Sequence, residues 1–122
     1  MKVSYTTKDG RLTAEFEVDT QVELFEELAA FQEIFENRTC SRVVNGKTKT
    51  SENTVFRVRK DKDENKYYEM VCVDQDPDLF LAKRAFNVHK TPKGYLYWEV
   101  KDKEGNFKKP WVKYNKETQK EE

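Results

Sequence analysis

The N-terminal third constrains the fold more than any other stretch. "KVSYTT" and "RLTAEFEV" alternate apolar and polar residues on either side of "KDG". A side-chain period of two puts Val3 and Tyr5 on one face of a β-hairpin, together with Leu12, Ala14, Phe16 and Val18. A lone hairpin is marginal in water, so that face needs a cover. The cover follows at once. Thr20 and Glu23 have the spacing of a capping box, and Leu24, Leu28, Phe31 and Phe35 recur at helical spacing with Phe25 and Ile34 beside them. Glu23, Glu26, Glu27, Glu33 and Glu36 fill the remaining faces. The expectation is a helix over residues 20–36 whose apolar stripe, Phe25 and Ile34 included, packs on the hairpin.

Beyond the helix, "TCSRVVNGKTKTSEN" reads as a loop. "TVFRVRK" and "KYYEMVCV" then flank the charged turn "DKDEN" as a second hairpin. "DLFLAKRAFNVHK", "GYLYWEV" and "FKKPWVKYN" read as three further strands or extended segments, broken at Pro92-Lys93-Gly94 and at Asp102 to Asn106. The chain has 122 residues, enough for one modest core. The expected architecture is therefore α+β in a single domain: hairpin plus helix over 1–37, a mainly antiparallel β-rich region over 38–116, and a solvated tail over 117–122.

Charged residues make up 38% of the chain and hydrophobic ones 36%, which leaves the core to lean on sixteen aromatics. That aromatic content argues against disorder. No apolar run reaches the roughly 18 residues of a membrane span, and the N-terminus lacks the apolar segment of a signal peptide. The expectation is a cytoplasmic protein with reduced thiols and no membrane partner. The formal net charge is zero, yet residues 1–37 carry nine acidic and three basic side chains, whereas residues 76–116 carry ten basic and five acidic. A positive patch on a neutral protein is what a polyanion would meet.

Catalytic motifs are missing: the sequence has no H-E-x-x-H, no G-x-S-x-G, no Walker loop, and only four glycines and one histidine. Asp74, Asp76 and Asp78 in "DQDPD" alternate as cation ligands do, but the spaced glycine and distal glutamate of an EF-hand are absent, and a solvated turn is the simpler reading. Cys40 and Cys72 are the only cysteines. His89 and a carboxylate such as Asp74 could in principle join them around an ion, but nothing in the spacing promises that they converge, and Cys72 alternates with Tyr68 and Met70 as a small buried residue would. The chain is thus expected to be no enzyme and to carry neither metal nor cofactor.

Binding is what remains. Single-stranded nucleic acid is held by aromatic faces on which bases stack and by cations that track the backbone. "KRAFNVHKTPKGYLYWEV" and "FKKPWVKYNK" interleave those residue types. The candidate surface comprises Arg57, Arg59, Lys83, Arg84, Lys93, Tyr95, Tyr97, Lys109, Trp111 and Lys113, with Trp98 or Trp111 equally able to serve as a core anchor. A nucleotide ligand would use the same materials, whereas a host or phage protein would dock through the acidic helix instead. An exposed edge strand leaves a homodimer open.

The "YTTKDGRLT" hairpin, the "LAAFQEIFE" helix, the spacing of Cys40 and Cys72 and the closing "WVKYNKET" together resemble small bacteriophage-encoded zinc-ribbon proteins of replication and recombination gene clusters. The similarity extends over nearly the whole chain. It implies a degenerate zinc ribbon, with Cys40 and Cys72 as knuckle cysteines and with Val43 and Gln75 where the family has the other two. It also implies single-stranded DNA binding in the host cytoplasm. The alternative is an anti-defence protein that inhibits a host immune protein or sequesters a nucleotide signal.

Overall fold

The computed structural model describes residues 1–89, 94–98 and 100–122. It has an α+β fold in which every strand pairing with a given register is antiparallel. The chain forms two compact units: Met1–Asn37 with Val88–Trp98, and Arg38–Asn87 with Glu99–Glu122. No helix among the described residues is long and apolar enough to cross a membrane.

In the first unit, β1 (Lys2–Thr6) pairs with β2 (Thr13–Glu17) so that Val3 faces Phe16 and Tyr5 faces Ala14. The connection is held by Thr7, whose backbone N–H donates to the Leu12 carbonyl at 2.9 Å and whose hydroxyl donates to Asp9 Oδ1 at 2.6 Å. Helix α1 (Gln21–Phe35) starts at Thr20, which has extended φ and ψ and accepts from the Glu23 N–H at 3.1 Å. The Glu23 carboxylate reaches back to the Asp19 N–H at 3.0 Å, one residue earlier than in the usual capping box. At the far end Glu36 accepts from the Tyr5 hydroxyl and from the Lys8 N–H, which ties the helix to the hairpin. These bonds, that from Tyr5 foremost, hold the Glu36 carboxyl below its usual value.

Ile34 is buried at 4% exposure, and Phe31 meets the rings of Tyr5, Phe16 and Phe35 at 5.9, 5.8 and 4.9 Å between centroids. Phe25 departs from the expectation, being 77% exposed. One residue past Leu24, it is turned about 100° away from the stripe by the helical period.

In the second unit, the stretch read as a loop is instead a hairpin of β3 (Cys40–Val44) and β4 (Lys47–Ser51). Asn45 and Gly46 form its turn with φ of 52° and 76°. Two consecutive positive φ values match the twist of the flanking strands, and Asn-Gly supplies them with little strain. β5 (Thr54–Lys60) and β6 (Lys66–Cys72) form the second hairpin around a turn in which Asp61 Oδ1 accepts from the N–H groups of Asp63 and Asn65, both at 2.9 Å. β7 (Lys83–Val88) follows β6 in the sheet. It is shorter than the segment read as a strand, because residues 77–81 form a turn. The C-terminal segment returns to β7 through reciprocal bonds between Lys83 and Val112, of 2.9 and 3.0 Å. β8 (Leu96–Tyr97) is a short strand of the first unit. The exposed end of the chain closes as a two-residue ladder of β9 (Tyr114–Asn115) and β10 (Lys120–Glu121).

The core of the second unit gathers Cys40, Met70, Cys72, Leu79, Ala82, Phe86 and Trp111. Both thiols are free and fully buried. Burial, and then the neighbouring Cys72, pushes the Cys40 thiol up to about 12, so it stays protonated and behaves as a small apolar group.

Candidate nucleic-acid interface

The strand register assembles a basic cluster. Arg57 stands opposite Glu69, Arg59 opposite Tyr67, and Lys83 opposite Val71. Because side chains alternate along a strand, the odd positions of β5, β6 and β7 share one face. Arg57 Nη2 lies 2.9 Å and Arg59 Nε 3.2 Å from Glu69 Oε1, while Lys83 Nζ lies 3.0 Å from Oε2. The Glu69 side chain is 1% exposed and each arginine side chain 42%. Burial raises the Glu69 carboxyl, but hydrogen bonds from Lys83, Arg57 and Arg59 outweigh it and hold the group below its usual range. Three cations on one carboxylate leave an excess of positive charge at the surface.

An aromatic ring completes the cluster. The Arg59 guanidinium lies 4.5 Å from the centroid of Tyr67, whose residue is 38% exposed. The Tyr67 hydroxyl donates to Asp61 Oδ2 at 2.9 Å, and that bond raises the phenol above its ordinary value. The ring is therefore pinned at both ends, by the strand and by the turn. Tyr67 and Glu69 were absent from the sequence-read surface. The five-residue turn "DKDEN" fixes the pairing that places them there, so the signal was present in the hairpin itself.

Other sequence-read positions take different places. Trp111 is 2% exposed and has no face open to a base, and Arg84, 5% exposed, lies with its guanidinium 5.0 Å from that ring. The Lys83–Val112 bridge sets this pair, since it brings the next residues of the two segments side by side. Burial lowers the Arg84 guanidinium to about 10. Lys113 donates from Nζ to the Pro77 carbonyl, and Lys109 is exposed. Tyr95 and Tyr97 belong to the first unit. There Tyr95 donates to Glu27 Oε1, and Tyr97 lies 4.4 Å from the His89 ring between centroids. Lys93 is outside the described residues.

The acidic turn has geometry of its own. Asp74 accepts from Ser51 Oγ at 2.7 Å and from the Asp76 N–H at 2.9 Å, and Asp76 accepts from the Asp78 N–H at 3.0 Å. Lys49 Nζ sits 3.2 Å from Asp76 Oδ2 and also meets Asp78. The carboxylates thus serve as turn acceptors around a lysine. Among the described residues no group of three or more His, Cys, Asp or Glu is arranged to hold a metal ion. Compared with known protein families, curated proteins and solved structures, the chain matches none.

Proposed function

We propose that this chain is a non-enzymatic, single-stranded nucleic-acid-binding accessory protein of the phage type that its sequence resembles, acting in the host cytoplasm. The observation that carries the reading is the cluster of Arg57, Arg59 and Lys83 around buried Glu69 with the half-open Tyr67 ring beside it. A strand of nucleic acid needs cations for its phosphates and a ring for its bases, and a stacked base contributes roughly 1 to 3 kcal/mol. Glu69 holds the two guanidinium groups in place before any ligand arrives, which reduces the ordering cost of binding. Lys109 and the exposed lysines of residues 100–116 extend the basic composition of the same unit.

A second copy of the chain is a poorer occupant of strand β5. At this sheet edge, antiparallel self-pairing centred on Val58 would set Arg57 of one copy opposite Arg59 of the other, and like charges across a ladder are destabilising. The test is a fluorescence-anisotropy titration of a labelled oligonucleotide at two salt concentrations. Binding at low salt that weakens linearly in log–log form is the expected result. No binding at low salt, or binding indifferent to salt, would remove this reading.

A further inference from the structure

The first unit holds a cleft of about 230 Å³ between helix α1, strand β2 and the segment beginning at Gly94. Its walls are mostly apolar and include Phe16, Ala30, Phe31, Phe35 and the Tyr95 ring, and among the described residues Glu27 is the one carboxylate that lines it. Glu27 Oε1 accepts from the Tyr95 hydroxyl. Among the described residues Glu27 Oε2 has no hydrogen-bond partner, which leaves one carboxylate oxygen available in a cleft that Phe16, Phe31 and Phe35 also line. The surroundings reinforce that charge. Helix α1 carries Glu23, Glu26, Glu27 and Glu33 without a lysine or arginine, and the sequence of the whole unit holds nine carboxylates against five basic side chains.

From this we infer that the cleft is a binding site for a small organic ammonium ion with an apolar body, its charge held by Glu27 and its body held among the phenylalanine rings. The ring faces carry negative potential and attract a cation, while the carboxylate supplies a hydrogen-bond acceptor that a neutral or anionic compound of the same shape cannot use as well. A cleft of this size admits a single substituted ring or a short branched amine, with one charged group to fix its orientation. This site is independent of the basic cluster on the second unit, and neither depends on the other being right.

The probes are benzylamine, benzyl alcohol and benzoate, matched in ring and differing in charge, titrated into the full chain by NMR. Benzylamine is expected to shift the resonances of Tyr95, Ala30 and Phe31, and to bind about tenfold more tightly than the alcohol, with benzoate weaker than either. Glu27→Gln, a substitution that keeps the shape of the side chain and removes its charge, should reduce the preference for the amine to about twofold or less. Ala30→Phe should fill the cleft and abolish binding of both the amine and the alcohol. Equal affinity for amine and alcohol, an unchanged preference in E27Q, or no shift with any probe in the wild-type chain would each overturn the inference.

Discussion

Arg38 over Phe56, Arg59 over Tyr67 and Arg84 over Trp111 are arginine–aromatic pairs of the second unit, and the last two differ in one respect. Arg84 over Trp111 and Arg59 over Tyr67 have similar separations, 5.0 and 4.5 Å. Trp111 is 2% exposed and Tyr67 is 38% exposed. Alternation along the strands puts Arg84 on the face that carries Met70 and Phe86, and Arg59 on the face that carries Glu69. On the first face the C-terminal segment is laid down by the Lys83–Val112 bridge, and the pair becomes core. On the second, Arg57 and Arg59 bond the buried Glu69 carboxylate while 42% of each side chain stays exposed. The same pairing is therefore a packing device on one face and an available binding surface on the other, and composition alone cannot tell the two apart.

The sharpest way to break that comparison is to truncate each ring. Trp111→Ala should destabilise the fold by about 3 to 5 kcal/mol, since it deletes a large buried side chain from a core with few aliphatics. Urea denaturation would read this as a fall in midpoint, and a change below about 1 kcal/mol would mean that Trp111 is not an anchor. Tyr67→Ala should do the reverse. Its cost to stability should stay below about 1 kcal/mol, while oligonucleotide affinity falls by roughly 1 to 3 kcal/mol if a base stacks there. Weaker affinity in W111A at a temperature where it remains folded, with Y67A unaffected, would invert the assignment of the two faces.

How much of this was legible in sequence depends on the reach of each signal. The N-terminal hairpin and its helix were readable because alternation, Thr20 and the Leu24–Leu28–Phe31–Phe35 spacing are local. The 40–51 hairpin was equally local and was missed, although Asn45-Gly46 is among the strongest short-range hairpin signals. Charge-rich strands such as "KTKTS" lack the apolar alternation that otherwise marks a strand. The cluster around Glu69 needs the register of three strands, and Arg84 meets Trp111 only through a bridge between segments 29 residues apart. The bond from Tyr95 to Glu27 spans 68 residues, a separation at which no periodicity speaks. Dense interleaving of lysine and aromatic residues over 83–114 marked a region but could not assign its faces.

Glu69 offers a finer test, because it organises one face and not the other. Glu69→Gln should cost about 1 to 2 kcal/mol at neutral pH, less than a fully buried ion pair would, because the two arginines remain partly solvated. The sign of its pH dependence follows from the lowered carboxyl. A carboxylate depressed in the fold contributes stability that is complete above its unfolded value of 4.5 and is lost as pH falls through the lower folded value. The stability gap between wild type and E69Q should therefore be flat near neutrality and shrink below about pH 4.5. A gap that widened on acidification would show that Glu69 is not ionised in the fold.

The smallest effect concerns charge alone. Arg59→Gln retains a polar side chain over Tyr67 but removes one positive charge. On single strands, each phosphate left without its cation should lower the slope of log affinity against log salt by about 0.7. Tyr67→Ala should leave that slope almost unchanged, since stacking releases no counterion. Lys109→Gln serves as a control outside the Glu69 cluster: its slope should move only if the strand extends to that exposed lysine. If Arg59→Gln and Tyr67→Ala altered the slope equally, the ring and the guanidinium would be acting as one electrostatic unit, and the division of labour assigned to the exposed pair would fail. If Arg59→Gln left the slope untouched while Lys109→Gln reduced it, the phosphate path would lie along the C-terminal lysines, away from the ordered arginines of β5.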